Sequence, residues 1–243
     1  MPKIPHRWDI SPKEAISVQK KLAQNVIQQN QFDTVNLIAG IDMSIRNEVG
    51  KAAVVVFRYP EMTVVDYTTV TAPLTFPYIP GLFSFREGPV VIKALETLQI
   101  QPDLLIFDGQ GIAHPRRFGL ACHIGVLLDI PTIGCAKSRL CGHYQMPDEK
   151  RGAYSLLQDK NEVIGAVVRT RAATKPVFVS TGHRVDLQTS INFILETGGG
   201  YRLPEPTRWA HHVAGGKTPP GFALYTLELN EPRRFLEISA NKN

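Results

Sequence analysis

Apolar residues recur along the chain at two different intervals, and the change of interval marks its elements. Ala15, Val18, Leu22 and Val26 are three or four residues apart, as one face of a helix requires. Ser11, Pro12 and Glu14 stand before them as N-cap, N1 and N3, so the pattern predicts a capped helix over about 11–29. Three β-rich runs follow, VNLIAGIDMSI (35–45), KAAVVVFRY (51–59) and TVVDYTTVTA (63–72). Their links are short enough for an antiparallel meander. Val91, Leu95 and Leu98 restore helical spacing over 89–99. PDLLIFDGQG (102–111) is a continuous apolar run ended by Asp-Gly, as in a strand covered on both faces. A second helix is predicted over 117–129 and another buried strand within PTIGCAKSRL (131–140). Further strands are expected at 152–158, 163–170 and 176–181, then a helix near 186–197 stopped by three glycines.

The order is three strands, helix, strand, helix, strand, with no repeat and no linker that would divide it. The simplest reading is one α/β domain over 1–243, its core at about 35–212 and a loosely held tail at about 217–243. One stretch resists assignment. FPYIPGLFSFREGP (76–89) holds three prolines and two glycines, yet carries six large apolar side chains. It is expected to be an irregular loop, although loops are usually polar.

Composition changes this picture little. Of 243 residues, 43% are hydrophobic and 20% charged, as in an ordinary soluble protein. The net charge of +5 permits a nucleic-acid partner without demanding one. Cys122, Cys135 and Cys141 form no CxxC pair and read as reduced thiols. No secretory signal and no long apolar run are evident, so a cytoplasmic protein with no membrane partner is expected.

Candidate chemistry lies at strand ends. Asp42 sits near the end of the first strand and Asp108 at the end of the fourth, where α/β sheets open a crevice for ligands. If those strands are neighbours, the two carboxylates face one another and repel unless a cation lies between them. Hard oxygen ligands suit Mg²⁺ or Mn²⁺. Each aspartate could equally cap a turn or a helix. Lys137 points to the same edge, either toward a phosphate or simply into solvent. His114, Arg116 and Arg117 are expected to open the next helix, where basic groups and free N–H groups favour an anion; a solvated basic loop is the alternative. No phosphate-binding P-loop, dinucleotide fingerprint, HExxH or GxSxG motif is present. Ser180-Thr181-Gly182-His183 reads as a strand end and turn.

FPYIPGLFSFREGP, LIFDGQGIAHPRRFGLACHIG and PTIGCAKSRL, with TGHR (181–184) and YRLPEPTRWA (201–210), together resemble the endonuclease V family from about Leu37 to Ala210. The resemblance implies a ribonuclease H-like fold: a mixed sheet, with a three-strand antiparallel meander plus parallel strands, flanked by helices. It implies Asp42 and Asp108 as metal ligands for one or two Mg²⁺ ions, with Mn²⁺ able to substitute, and Glu87, Lys137 and His211 as further catalytic groups. His212 stands beside His211 and leaves that choice open, and Gln110 replaces a histidine common in the family. PYIPG becomes a wedge, with Tyr78, Ile79 and Pro80 filling the space of a flipped base, while Gly81 and Gly109 line the lesion-base pocket. His114, Arg116 and Arg117 become phosphate contacts. The implied activity is that of a repair endonuclease that recognises deoxyinosine, and other deaminated or mispaired bases, in damaged DNA and cuts at the second phosphodiester bond 3′ to the lesion; a monomer is expected. An inosine-specific endoribonuclease and a non-cutting lesion-binding or RNA-binding module are the alternatives.

Overall fold

The computed structural model describes residues 4–222. The expected meander forms: β1 (Leu37–Arg46), β2 (Val49–Arg58) and β3 (Thr63–Pro73) pair antiparallel in sequence order. Asn47 and Glu48, both at positive φ, make the two-residue turn between β1 and β2, a geometry that matches the twist of the strands it joins. β4 (Leu104–Phe107) then runs parallel to the other side of β1, and β5 (Thr132–Ala136) parallel to β4. Three antiparallel strands complete the sheet: β6 (Tyr154–Asp159), β7 (Glu162–Val168) and β8 (Val177–His183). The spatial order is β3-β2-β1-β4-β5-β8-β7-β6.

Side-chain alternation sorts the sheet into two buried faces. Ala39, Ile41, Leu105 and Phe107 pack toward α2 (Phe83–Glu96) and α3 (Leu120–Leu128). Ile38, Leu104 and Ile106 pack toward α4 (Leu187–Glu196). A fifth helix, α5 (Glu205–Ala214), covers β2 and β1 on that second face. Among the described residues no helix is long and apolar enough to cross a membrane.

Several expected boundaries move. α1 covers Pro12–Leu22 and is followed by a 3₁₀ turn at Ala23–Asn25, so it ends short of residue 29. Its capping box is formed: the Ser11 N–H donates to Glu14 Oε2 (2.8 Å) and the Glu14 N–H to Ser11 Oγ (3.3 Å). The helix expected at 117–129 begins at Leu120 instead, because Arg117 takes a left-handed φ of 55°. The larger correction concerns 76–89, whose second half is regular. α2 starts at Phe83 and runs through Pro89. A proline inside a helix costs about 3 kcal/mol, through a lost hydrogen bond and a clash with the preceding turn. Here the residue before it is Gly88, which has no Cβ to clash with the proline ring, and the Trp8 ring lies where that Cβ would be. Burial of Phe85, Val90, Val91, Ile92 and Leu95 offsets the remaining cost. Of the tail expected at 217–243, the part beyond Phe222 lies outside the described residues.

Candidate active site

Strand pairing places the two aspartates. Ile41 pairs with Phe107 across the parallel β1–β4 ladder, and the Asp108 N–H donates to the Ile41 carbonyl at 2.9 Å. Asp42 and Asp108 are therefore neighbours at the edge of the sheet, both largely buried, with side chains 12% and 10% exposed. Asp42 Oδ1 accepts its neighbour's backbone N–H, from Met43, at 2.8 Å. Its other oxygen meets His211 Nδ1 at 2.7 Å. Asp108 Oδ2 forms an ion pair with Lys137 Nζ, just past the end of β5.

His211 reaches Asp42 because α5 lies along β1 in register. Gly40 meets the Pro206–Thr207 backbone, Asp42 meets His211, and Ser44 Oγ donates to the Ala214 carbonyl at 2.9 Å. Two strand residues and four helix residues both advance roughly 6–7 Å, so the steps coincide. A Cβ on Gly40 would collide with Pro206 backbone atoms, which is why the helix comes this close only over a glycine. Between the two adjacent histidines the choice is geometric. His212 points elsewhere, to Arg208 Nη1 at 3.2 Å and the Trp209 ring. α5 itself was not foreseen. Pro206 in the first turn and Glu205 beside it are a helix-start signal that was available.

Asp42, Asp108 and His211 each offer a ligand atom within 4.8 Å of the others, a set that could hold a metal ion. The electrostatics agree with a site short of positive charge. Burial and then the charge of Asp108 raise the Asp42 pKa, against the pull of His211 and Lys137. Glu87, on α2, keeps part of its surface open to the cleft, but burial and the charges of Asp42 and Asp108 push its pKa up to about 7.

Beside this group lies a cleft of about 320 Å³, walled by Gly81, Glu87, Asp108, Gly109 and Lys137 among others. The 76–82 loop forms its rim through the lining residue Gly81; on that loop Tyr78 is 66% exposed, its ring 5.0 Å from that of Phe83, which also lines the cleft. Pro80 is also exposed, whereas Ile79 leans onto the cluster of Ala15, Phe76, Leu82 and Phe85. His114, Arg116 and Arg117 precede α3 rather than open it, and each has partners within the protein. His114 is buried; its Nδ1 accepts the Arg116 N–H (3.1 Å), which leaves Nε2 to donate to the Gly81 carbonyl (2.9 Å). Burial pushes its pKa down to about 4, so it stays neutral. Arg116 donates to the same carbonyl (2.6 Å) and to Gln19 Oε1 (2.5 Å). Arg117 is bound to Asp159 and Glu162. Gln19, missed from sequence, is buried and donates to the Gly81 and Phe118 carbonyls. A glutamine four residues after Ala15, on the apolar face of α1, was the signal. Gln110 Nε2 donates to the Ser138 carbonyl at 2.9 Å, tying the Asp-Gly loop to the segment that carries Lys137.

Known proteins share this sequence and fold. The endonuclease V family model matches residues 20–212. Endonuclease V of Methanothrix thermoacetophila is 51% identical over 206 residues, covering 85% of this chain and 92% of that one. Among solved structures, endonuclease V from Streptomyces avermitilis superposes with a TM-score of 0.82 at 40% identity, covering 87% of this chain and 95% of that one. Endonuclease V of Ciona intestinalis, in complex with a 24mer DNA containing an inosine followed by a ribo-adenosine, gives 0.71 at 27% identity, covering 84% and 95%. The mixed sheet is the ribonuclease H-like fold of these structures, and this chain belongs to the endonuclease V family.

Proposed function

We propose that this nuclease acts on DNA containing deoxyinosine and hydrolyses the second phosphodiester bond 3′ to the lesion, as a Mg²⁺-dependent monomer. One observation carries the reading: Asp42, Asp108 and His211 converge beside a cleft whose rim bears an exposed tyrosine. The donor set fits a hard divalent cation, since two carboxylates dominate it and the charge of Asp108 raises the cost of ionising Asp42. Mg²⁺ held by Asp42 and Asp108, with Mn²⁺ as substitute, would lower the pKa of a water and offset charge on the attacked phosphate.

The protein's own groups do the rest. Lys137 supplies a positive charge beside Asp108 and positions the scissile phosphate. Glu87, with a pKa near neutrality, can hold or release a proton. His211 holds Asp42 in place through Nδ1. Tyr78 and Pro80 enter the space of the displaced base, while the cleft by Gly81 and Gly109 receives that base. Hypoxanthine lacks the 2-amino group of guanine, so a pocket closed at that edge favours inosine.

The test is parallel cleavage of matched inosine-containing DNA and RNA strands with Mg²⁺, each repeated with chelator. Chelator-sensitive nicking of the DNA at the second bond is expected. Preferential cutting of the RNA would transfer the assignment to an endoribonuclease, because tolerance of a 2′-OH near the cut separates the two. Binding without nicking of either strand would leave only a recognition module.

A further inference from the structure

We propose that Arg202 is a positioning residue for Lys137, acting through the backbone of the segment that carries it; the proposal rests on the role given to Lys137 above. Lys137 lies one residue past the last ladder pair of β5 with β8, Ala136 with Phe178, so the sheet no longer fixes its main chain. Its side chain is long, flexible and 39% exposed, tied at its tip to Asp108. A lysine of this kind delivers its charge to one place only if its Cα is held.

Arg202 holds it. Arg202 Nη2 donates to the Lys137 carbonyl at 2.6 Å and to the Pro176 carbonyl at 2.9 Å, and Nε donates to the Lys175 carbonyl at 2.8 Å. One planar group thus fastens the end of β5 to the segment that enters β8. Arg202 is itself anchored, because its carbonyl accepts Thr170 Oγ1 at 2.5 Å. It also stands two residues before Pro204, the N-cap of α5, so the residue that fixes Lys137 leads directly into the helix that presents His211. Its guanidinium does not line the cleft and touches none of Asp42, Asp108 or Glu87. Its effect must therefore pass through Lys137. A lysine at 202 would keep the charge but lose the flat fork that reaches three carbonyls on two segments.

The experiment is single-turnover cleavage of an inosine-containing duplex with Mg²⁺ by Arg202→Ala and Arg202→Lys, each made in the wild type and in Lys137→Ala. KM and melting temperature are measured alongside. A displacement of about 1 Å at a charged catalytic group costs on the order of 10²-fold, so R202A is expected to lower kcat by that factor with KM unchanged. R202K should be nearly as slow although it stays folded and charged. In the K137A background neither change should slow the enzyme further, since the group they position is gone. R202K at the wild-type rate overturns the proposal, as does a full further loss in K137A. Should R202A fail to fold, R202K carries the same comparison alone. K137A cutting at the wild-type rate would instead remove the lysine reading on which the proposal stands.

Discussion

The floor of the cleft and its rim are held in place by different means. On the floor, Asp108 and, beside it, Asp42 are placed by main-chain pairing of two adjacent buried strands, and the backbone bond from Asp108 to Ile41 locks their spacing. At the rim, the 76–82 loop has no ladder. One atom, the Gly81 carbonyl, receives donors from Gln19, His114 and Arg116, which come from α1 and from the turn before α3. The floor resists displacement because the sheet would have to move with it. The rim is fixed at its base while Tyr78 stays exposed, which suits the wedge role proposed for it. Hydrolysis and recognition should accordingly be separable by mutation.

The largest separation is expected at the floor. Asp42→Ala or Asp108→Ala removes a carboxylate from the proposed metal-holding set, and loss of several kcal/mol of transition-state stabilisation is expected to lower nicking by about 10³-fold or more. Affinity for the inosine duplex, followed by fluorescence anisotropy, should persist. Wild-type nicking by either variant would remove these carboxylates from the chemistry and erase the distinction between floor and rim.

Next comes the charge stored on the floor. The Glu87 pKa is about 7 in the folded chain against about 4.5 when unfolded. Between those values the folded state holds a proton that the unfolded state has lost, so stability falls as pH rises. Below pH 4.5 the contribution vanishes, and above pH 7 the loss is complete, on the order of 3 kcal/mol. In chelator, urea denaturation at pH 5 and pH 8 should therefore find Glu87→Gln more stable than wild type chiefly at pH 8. Using the difference between the two proteins cancels the opposing titration of buried His114 and His123, whose lowered pKa values cost stability as pH falls. An equal difference at both pH values would show that Glu87 carries no strain.

Gly40→Ala probes the register that brings α5 to the floor. The added methyl meets the Pro206 backbone and forces the helix outward, so His211 leaves Asp42. A loss of order 10²-fold in kcat is expected, with inosine binding retained and melting temperature lowered by overpacking. Full activity would mean that α5 can move without consequence for the site.

The same contrast explains what was legible in the sequence. Strands are written as local runs, so the meander, the buried fourth strand and the two aspartates at strand ends could all be read from spacing. That Asp42 and Asp108 are adjacent followed once β4 was placed beside β1. Pro89 makes the start of α2 look irregular, so Glu87 stood out only as a lone acid, and the family resemblance alone gave it a role. His211 could not be told from His212 until the orientation of α5 was known. The support of the rim left a single mark, a glutamine on the apolar face of α1. Gln19, His114 and Arg116 act on a carbonyl 62, 33 and 35 residues away, and a backbone acceptor leaves no mark in the sequence.

The smallest effect, and the sharpest test of the rim, comes from Tyr78→Ala. Tyr78 packs against Phe83 and otherwise faces solvent, so its loss should leave melting temperature nearly unchanged. Stacking of one aromatic ring on a base is worth about 1–3 kcal/mol, and the ring matters most where a base has left the helix. Discrimination between inosine and guanine duplexes should therefore drop on the order of tenfold, measured as the ratio of kcat/KM on the two. Non-specific DNA affinity depends on phosphate contacts and salt, and should hold steady. If the rate on inosine fell while the ratio stayed fixed, Tyr78 would belong with the floor, and the division between holding the phosphate and opening the helix would have to be redrawn.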